Sequence, residues 1–175
     1  MNPLADISNI FNNPQMLHAA LAHLPIGLAI IGVPLLFWNA FRRPQSLMLD
    51  SILLLVYSTA SGLAYWAVQV GEQATAELPN MLPAEVWDQV GLHTSIAERV
   101  WILAAVTAVT LLPSLLKQRA RIRLTARTVA LLMGVATMLW TLRAGHEGGK
   151  LVYIYGVGTP ALEIQTHRAK TAAAN

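Results

Sequence analysis

Cysteine is absent from this 175-residue sequence, and charged side chains make up only 12% of it. The absence of cysteine excludes disulfide bonds, thiolate metal sites, iron–sulfur clusters and covalent haem attachment through Cys-x-x-Cys-His. Soluble domains carry about 25% charged residues, so this low fraction, together with 55% hydrophobic residues, indicates an integral membrane protein. A net charge of +3 is too small to indicate a nucleic-acid partner. No cationic segment with a cleavage site precedes the first apolar run, so we expect no removable signal peptide.

Four long, mainly apolar runs predict four membrane-spanning helices. Asn13 and Pro14 are typical of a helix start, with asparagine as N-cap and proline in the first turn. The fourth run is the shortest and spans only if Arg127 and Arg143 extend from its ends toward the membrane surfaces. The sequence therefore predicts an all-α, up-down, four-helix membrane bundle over residues 1–158 and a polar, flexible tail over residues 159–175. In chain order the runs are Ile7–Phe41, Ser51–Gly71, Ala97–Leu116 and Thr128–Leu142.

Three local patterns refine this prediction. Pro83 can open a short surface helix through Trp87, and a separate third helix then opens around His93. The β-branched and aromatic segment Leu151–Val157, which is flanked by glycines, predicts a short extended segment after the fourth helix. A small and polar stripe on the second span indicates either close helix packing or a groove that faces a cofactor. The stripe consists of Ser58, Gly62, Tyr65 and Gln69.

The basic residues are distributed unevenly between the two ends of the predicted spans. The loops after the first and third spans hold most of them and one acid, Asp50, whereas the opposite side holds the other acids. The positive-inside rule places these loops in the cytoplasm and both termini outside, in the periplasm if the membrane is the bacterial inner membrane. The basic residues of the two loops are Arg42, Arg43, Lys117, Arg119, Arg121, Arg123 and Arg127.

With this topology, four histidines lie near the outer face of the membrane. An interfacial histidine often binds only lipid or water, but here imidazoles from three helices fall in one layer. Imidazole is the commonest metal ligand and a usual axial ligand of haem iron, and helix bundles build such sites from facing helices. We therefore predict a cofactor site formed by His18, His23, His93 and His146.

A b-type haem needs two opposed imidazoles, small residues that admit the ring and cations for the propionates. Ala97, Ala104 and Ala108 on the third span supply small residues, and Arg143 supplies a cation. Copper or zinc bound by three or four of the same histidines is the alternative. Met16 and Met81 lie on the outer side and suit Cu(I), while Glu72, Glu98 and Glu147 are candidates to orient the imidazoles.

Several of these residues also belong to motifs that resemble those of a known family. His18, His23-Leu24-Pro25-Ile26, an isolated His93 and the segment Gly145–Gly158 resemble a bacterial family known only as predicted membrane proteins with a domain of unknown function. The segment reads Gly-His-Glu-Gly-Gly-Lys-Leu-Val-Tyr-Ile-Tyr-Gly-Val-Gly. The resemblance implies a four-span protein in which His18, His23, His93 and His146 are characteristic, and it implies no activity.

Three functional hypotheses follow from the sequence. The first is a haem b subunit that exchanges electrons with a periplasmic protein, a quinone or another membrane subunit. The second is a copper- or zinc-binding membrane protein in metal handling, and the third is a scaffold subunit whose histidines are merely interfacial. These hypotheses favour a binding, electron-transfer or scaffold subunit over a stand-alone enzyme, and the sequence leaves the enzyme question open.

Overall fold

The computed structural model describes residues 3–42, 46–78, 82–116 and 120–159, and within this part of the chain the regular structure is entirely helical. A short helix precedes four long ones. Met81, several residues of the two basic loops and the predicted tail over residues 159–175, apart from Thr159, lie outside the described residues. The helices are α1 (Pro3–Asn12), α2 (Pro14–Phe41), α3 (Leu47–Ala76), α4 (Ala84–Leu115) and α5 (Ala120–Tyr153).

The four long helices form a closed ring. Each of α2, α3, α4 and α5 packs against two of the others, whereas no Cα atoms of α2 and α4, or of α3 and α5, lie within 8 Å of each other, so these pairs meet only through long side chains. Helices α2 and α4 therefore lie diagonally across the bundle. This confirms the predicted all-α four-helix bundle. We call the end that holds the start of α2 and α4 the histidine end, and the opposite end, which holds Arg127, the arginine end.

All four long helices are apolar and long enough to cross a membrane. With 28 to 34 residues each, they rise roughly 42–51 Å at about 1.5 Å per residue, more than the roughly 30 Å hydrocarbon layer. The helix starts follow local rules. Asn13 accepts a hydrogen bond from the backbone N–H of Met16 as predicted, and Ser46 caps α3 through the N–H of Leu49.

Two predicted boundaries at the histidine end are wrong. Helix α4 begins directly after Pro83 and runs without a break past His93, so there is no separate surface helix through Trp87. Leu151–Val157 is not extended, because α5 continues to Tyr153 and the chain then turns at Gly156, whose φ is 69°. Leu151 is buried among Leu78, Leu82, Val86 and Val90, and this packing outweighs the local β propensity.

The predicted small and polar stripe on α3 does not face the bundle interior. Ser58, Gly62 and Tyr65 are exposed, and a Cβ added at Gly62 would meet nothing within 4 Å. The interior face of α3 instead carries Leu53, Tyr57 and a row of alanines. Ser58 and Gly62 therefore form neither close helix packing nor an internal cofactor groove, whereas Tyr65 contacts Trp101 of α4 with ring centroids 5.6 Å apart.

The arginine end contains an ion pair inside the bundle. Arg127, which was expected to extend toward the membrane surface, is only 1% exposed, and its Nε–H donates to Asp50 Oδ1 at 2.8 Å. The Nη2 of Arg127 donates to the other carboxylate oxygen, and Asn39 Nδ2 donates to Oδ1 at 2.7 Å. The paired carboxylate replaces water around the buried guanidinium. Hydrogen bonds to Asp50 therefore connect α2, α3 and α5 at this end.

Candidate functional site

His18 lies one turn into α2 at the histidine end and faces α3. Its Nδ1 is 2.7 Å from the carbonyl oxygen of Ala67. Its ring lies directly over Gly71, one turn further along α3, where an added Cβ would be only 2.9 Å from Nδ1. The missing side chain at Gly71 is therefore what lets the imidazole lie against the α3 backbone.

His93 repeats this arrangement in the other half of the bundle. Its Nδ1 is 3.1 Å from the carbonyl oxygen of Ala144 on α5. Its ring lies over Gly148, again one turn beyond that carbonyl, where an added Cβ would be 2.9 Å from Cε1. The hairpins α2–α3 and α4–α5 thus present a histidine in the same way, although the sequence shows no internal repeat.

The two imidazoles meet across the bundle. Their ring centroids are 6.0 Å apart and their planes lie at 87°. A carbonyl oxygen only accepts hydrogen bonds, so Nδ1 carries the proton in each ring and the Nε2 lone pair of each neutral imidazole is unused by these contacts. A histidine that ligates a metal usually has this arrangement, with its other ring nitrogen donating to a carbonyl or carboxylate.

Two cavities border the histidine pair. The larger, about 590 Å³, extends toward the histidine end between the starts of α2 and α4 and the end of α3, and it is covered by Leu151, Val152 and Val157. The smaller, about 320 Å³, extends toward the middle of the bundle and reaches Thr141. Both are lined by His18, His93 and Ala97 and are mainly apolar. Their sizes fall in the range of about 300–1,000 Å³ found for small-molecule sites.

The other predicted site residues lie at different places. His23 is exposed and lines the smaller cavity, and its Nδ1 is 2.6 Å from the carbonyl oxygen of Ala19 on its own helix. His146 is exposed on α5 and lines neither cavity. Arg143 is also exposed, with its guanidinium 5.7 Å from the Trp140 ring centroid, and lines neither cavity. The structure thus brings together His18 and His93, with His23 nearby, and leaves His146 and Arg143 outside.

Glu147 anchors the end of α5 rather than contacting an imidazole. It is 7% exposed and accepts hydrogen bonds from Gln89 Nε2 at 3.0 Å and Lys150 Nζ at 2.7 Å. Gln89 also donates to the backbone carbonyl of Glu147. These bonds fix α5 against the first turns of α4 and so hold Gly148 beneath His93.

The glycines after α5 direct the chain over the larger cavity. Both Gly156 and Gly158 have positive φ, at 69° and 76°, a conformation that other residues rarely adopt. At Gly158 an added Cβ would lie 3.1 Å from Gln15 Oε1 at the start of α2. The final Gly-Val-Gly of the motif therefore closes the bundle from α5 back to α2.

The comparison with protein families agrees with this architecture. A family model described as "Predicted membrane protein (DUF2231)" matches residues 14–161, which include all four spans and the histidine pair. The chain belongs to this family. No curated protein and no solved structure matches it.

The donor set of this DUF2231 member limits the groups that it can hold. Within the described part of the chain, no three His, Asp or Glu side chains converge as a metal site. A metal bound to one nitrogen of each ring at about 2.0–2.1 Å would place the two centroids roughly 5–6.5 Å apart, according to the angle at the metal, and the observed 6.0 Å falls in this range. The pair therefore fits a group that needs two protein ligands.

The contacts of Ala67, Gly71 and Ala144 with the two imidazoles were not predicted from the sequence. A histidine that lies a full span away from an Ala-x-x-x-Gly sequence gives no local signal for their contact. The recurrence of Ala-x-x-x-Gly at Ala67–Gly71 and Ala144–Gly148, each near the histidine end of its helix, is the pattern that would have indicated it.

Proposed function

We propose that this protein binds haem b between His18 and His93 and acts as an electron-transfer subunit of a membrane complex. One observation carries the proposal. Two imidazoles from diagonal helices lie edge-on with ring centroids 6.0 Å apart, each with Nδ1 donating to a helix carbonyl. Diagonal helices place the two ligands on opposite sides of the bundle axis, as two axial ligands of one haem require.

The number of ligands favours haem over a bare copper or zinc ion. Zinc sites use three or four protein ligands, and the described residues provide two imidazoles at this position. A haem brings four ring nitrogens of its own and needs only the axial pair. When bound, it supplies one-electron redox chemistry that no side chain here provides.

The larger cavity supports the same choice. It is mainly apolar, as a porphyrin requires, and small side chains such as Ala19, Ala74 and Ala97 line it. Asn13, Gln15 and Thr94 also line it and are suited to hydrogen-bond the propionates. Arg143, the propionate partner suggested by the sequence, lies outside this cavity.

The charge distribution supports an inner-membrane protein with the histidine end on the outer side. On this orientation the electron partner is a periplasmic protein, another membrane subunit or a membrane quinone. The basic loops at the arginine end remain in the cytoplasm.

A visible absorption spectrum of the detergent-purified protein, oxidised and then reduced with dithionite, tests the proposal. We expect reduced-minus-oxidised bands of a six-coordinate b-type haem in the wild type. His18→Ala and His93→Ala should lose them, whereas His146→Ala, at an exposed position outside both cavities, should retain them. Circular dichroism of each variant confirms that the helices are intact.

Two results would contradict the haem proposal. Stoichiometric copper or zinc without haem, lost in the same two variants, would support metal handling instead. A protein that holds neither haem nor metal after expression with excess haem precursor would contradict both cofactor proposals and support the scaffold hypothesis.

A further inference from the structure

We propose that the smaller cavity binds the head group of a lipid-soluble quinol and that His23 accepts a hydrogen bond from it. This inference rests on the proposed function, because it names the electron donor to the histidine pair. It concerns the smaller cavity, which shares His18 and His93 with the haem proposal and adds His23 and the α2–α5 seam.

The cavity opens sideways, between two helices. Four of its lining residues are exposed, namely Ala19 and His23 on α2 and Gly145 and Tyr153 on α5. Those contributed by α3 and α4 are buried or half-buried. A ligand therefore enters from the side of the bundle that faces lipid, through the seam between α2 and α5.

The depth of the opening suits a quinol head group. From His23 to Phe41, α2 rises about 27 Å at about 1.5 Å per residue, close to the roughly 30 Å thickness of the hydrocarbon layer. If the arginine end lies at one boundary of that layer, His23 lies near the other. An amphipathic ring with an isoprenoid tail places its polar groups at this level.

The lining is suited to a flat, mainly apolar molecule. Small side chains leave room for a ring, namely those of Ala22, Ala64, Ala67, Gly145 and Gly149. The volume of about 320 Å³ is too small to hold a haem together with its substituents. A molecule in this cavity contacts the same His18 and His93 that border the larger cavity. Electron donor and acceptor are thus adjacent, with the imidazoles between them.

His23 provides the polar contact. Its Nδ1 lies 2.6 Å from the carbonyl of Ala19, so this nitrogen carries the proton and Nε2 is an acceptor in the neutral ring. A quinol hydroxyl is a donor, whereas a quinone carbonyl is not. This tautomer of His23 therefore favours the reduced form of the ligand.

The redox step balances in two one-electron transfers. Oxidation of the quinol to the quinone breaks two O–H bonds and releases two electrons and two protons. A haem held by His18 and His93 would take these electrons one at a time, and a one-electron acceptor at the histidine end would receive each of them before the next transfer. The imidazole of His23 takes each proton in turn and passes it to the aqueous phase.

Binding of decylubiquinol, measured by isothermal titration calorimetry on the detergent-purified protein, tests the site. His23→Ala should weaken binding about tenfold, the loss of one hydrogen bond. Gly145→Leu should abolish binding, since the added Cβ has its nearest neighbour, Ile26 Cδ1, at 3.9 Å and the rest of the side chain extends into the cavity. Gly62→Leu, at an exposed position on α3, is the matched control and should bind normally.

Haem content is measured on the same samples, which separates the two proposals. His23→Ala and Gly145→Leu should keep the haem spectrum of the wild type while haem reduction by decylubiquinol becomes slower. A wild-type protein that holds haem but does not bind decylubiquinol, or that binds it equally in all variants, overturns the quinol site alone. A wild-type protein without haem overturns the proposed function, whatever binds in the smaller cavity.

Discussion

Asp50 and Arg127 form an ion pair that is almost completely buried at the arginine end, with 0% and 1% of their side chains exposed. The two residues are separated by 77 positions in the sequence. Asn39 of α2 donates to the same carboxylate, so three helices are fixed by one acidic side chain. Removing Asp50 leaves the buried guanidinium of Arg127 without its counter-charge, and removing Arg127 leaves the Asp50 carboxylate only the more distant, half-buried Arg123.

We therefore expect Asp50→Ala and Arg127→Ala each to destabilise the bundle by roughly 3–5 kcal/mol, the usual cost of an uncompensated buried charge. The measurement is the thermal unfolding of the purified protein in detergent. Arg123→Ala is the control, because Arg123 is 4.0 Å from the same carboxylate and 20% exposed, and its loss should matter much less. The Asp50→Leu/Arg127→Leu double variant should recover much of the loss. Equal destabilisation by all three single variants would show that the pair has no special role.

The glycines beneath the two imidazoles give a second prediction. Gly71→Ala and Gly148→Ala each place a methyl group 2.9 Å from a histidine ring atom, so the ring must move. If His18 and His93 hold a haem as proposed, displacement of either ring should weaken haem binding about 10- to 100-fold, comparable with the loss of a hydrogen bond that orients a ligand. Haem retention during purification, read from the absorption spectrum, is the measurement.

Two other glycines serve as matched controls for this experiment. Gly62 on α3 and Gly91 on α4 are exposed, and an added Cβ meets nothing within 4 Å at either. Alanine at these positions should leave haem content unchanged. If Gly71→Ala and Gly148→Ala retain haem as the controls do, the geometry around His18 and His93 does not determine cofactor binding.

Features set by local chemistry were predictable from the sequence. The cap at Asn13 depends on neighbouring atoms, and the four spans depend on uncharged length, so both agree with the structure. The gathering of the histidines at one end of the bundle was predictable by counting residues along each helix. Which of them meet was not, because that depends on the rotation of each helix about its axis, which places His93 inward and His146 outward.

Features set by distant contacts were the ones predicted wrongly. Arg127 has no local signal for burial, since its partner Asp50 lies on another helix. The helical state of Leu151–Tyr153 depends on the hydrophobic cluster around Val86 and Val90, which overrides the local preference for a strand. In both cases packing between helices decided the outcome.

Tyr57 gives a third prediction. It is completely buried at the centre of the bundle, and its hydroxyl has no hydrogen-bond partner among the described residues. An unpaired buried hydroxyl costs about 1–3 kcal/mol, so Tyr57→Phe should keep or raise the unfolding temperature. A clear decrease would show that the hydroxyl has a partner, such as a bound water.

Substitution of Gly32, which lies against the Tyr57 ring, tests the same packing independently. A Cβ at Gly32 would lie 2.8 Å from the Tyr57 hydroxyl oxygen, so Gly32→Ala should destabilise the protein by about 1–3 kcal/mol, as overpacked cores do. In the Gly32→Ala/Tyr57→Phe double variant part of this loss should be recovered, because the nearest atom has been removed. Simple additivity of the two unfolding temperatures would mean that the steric contact is absent.

The orientation inferred from the basic loops gives a fourth prediction. With the histidine end outside, a periplasmic phosphatase fused after Asn175 should be active in cells, and a fluorescent protein that folds only in the cytoplasm should be dark there. Fusions after Arg123, at the arginine end, should give the reverse result. The same pattern at both positions would contradict the up-down topology, and exchanged signals would place the histidine pair on the cytoplasmic side.

The angle between the imidazole planes gives the fifth prediction, which concerns the electronic structure of the proposed haem. At 87° the rings of His18 and His93 are nearly perpendicular, and each is held by its own carbonyl and glycine. Perpendicular axial imidazoles leave two of the iron d orbitals close in energy, which produces a low-spin ferric signal of large anisotropy in electron paramagnetic resonance. We expect this signal from the oxidised wild type at low temperature, and a shift toward the rhombic signal of parallel imidazoles in whatever haem Gly148→Ala retains. A rhombic signal in the wild type would mean that the rings rotate when the cofactor binds, and that the contacts to Ala67 and Ala144 do not fix them.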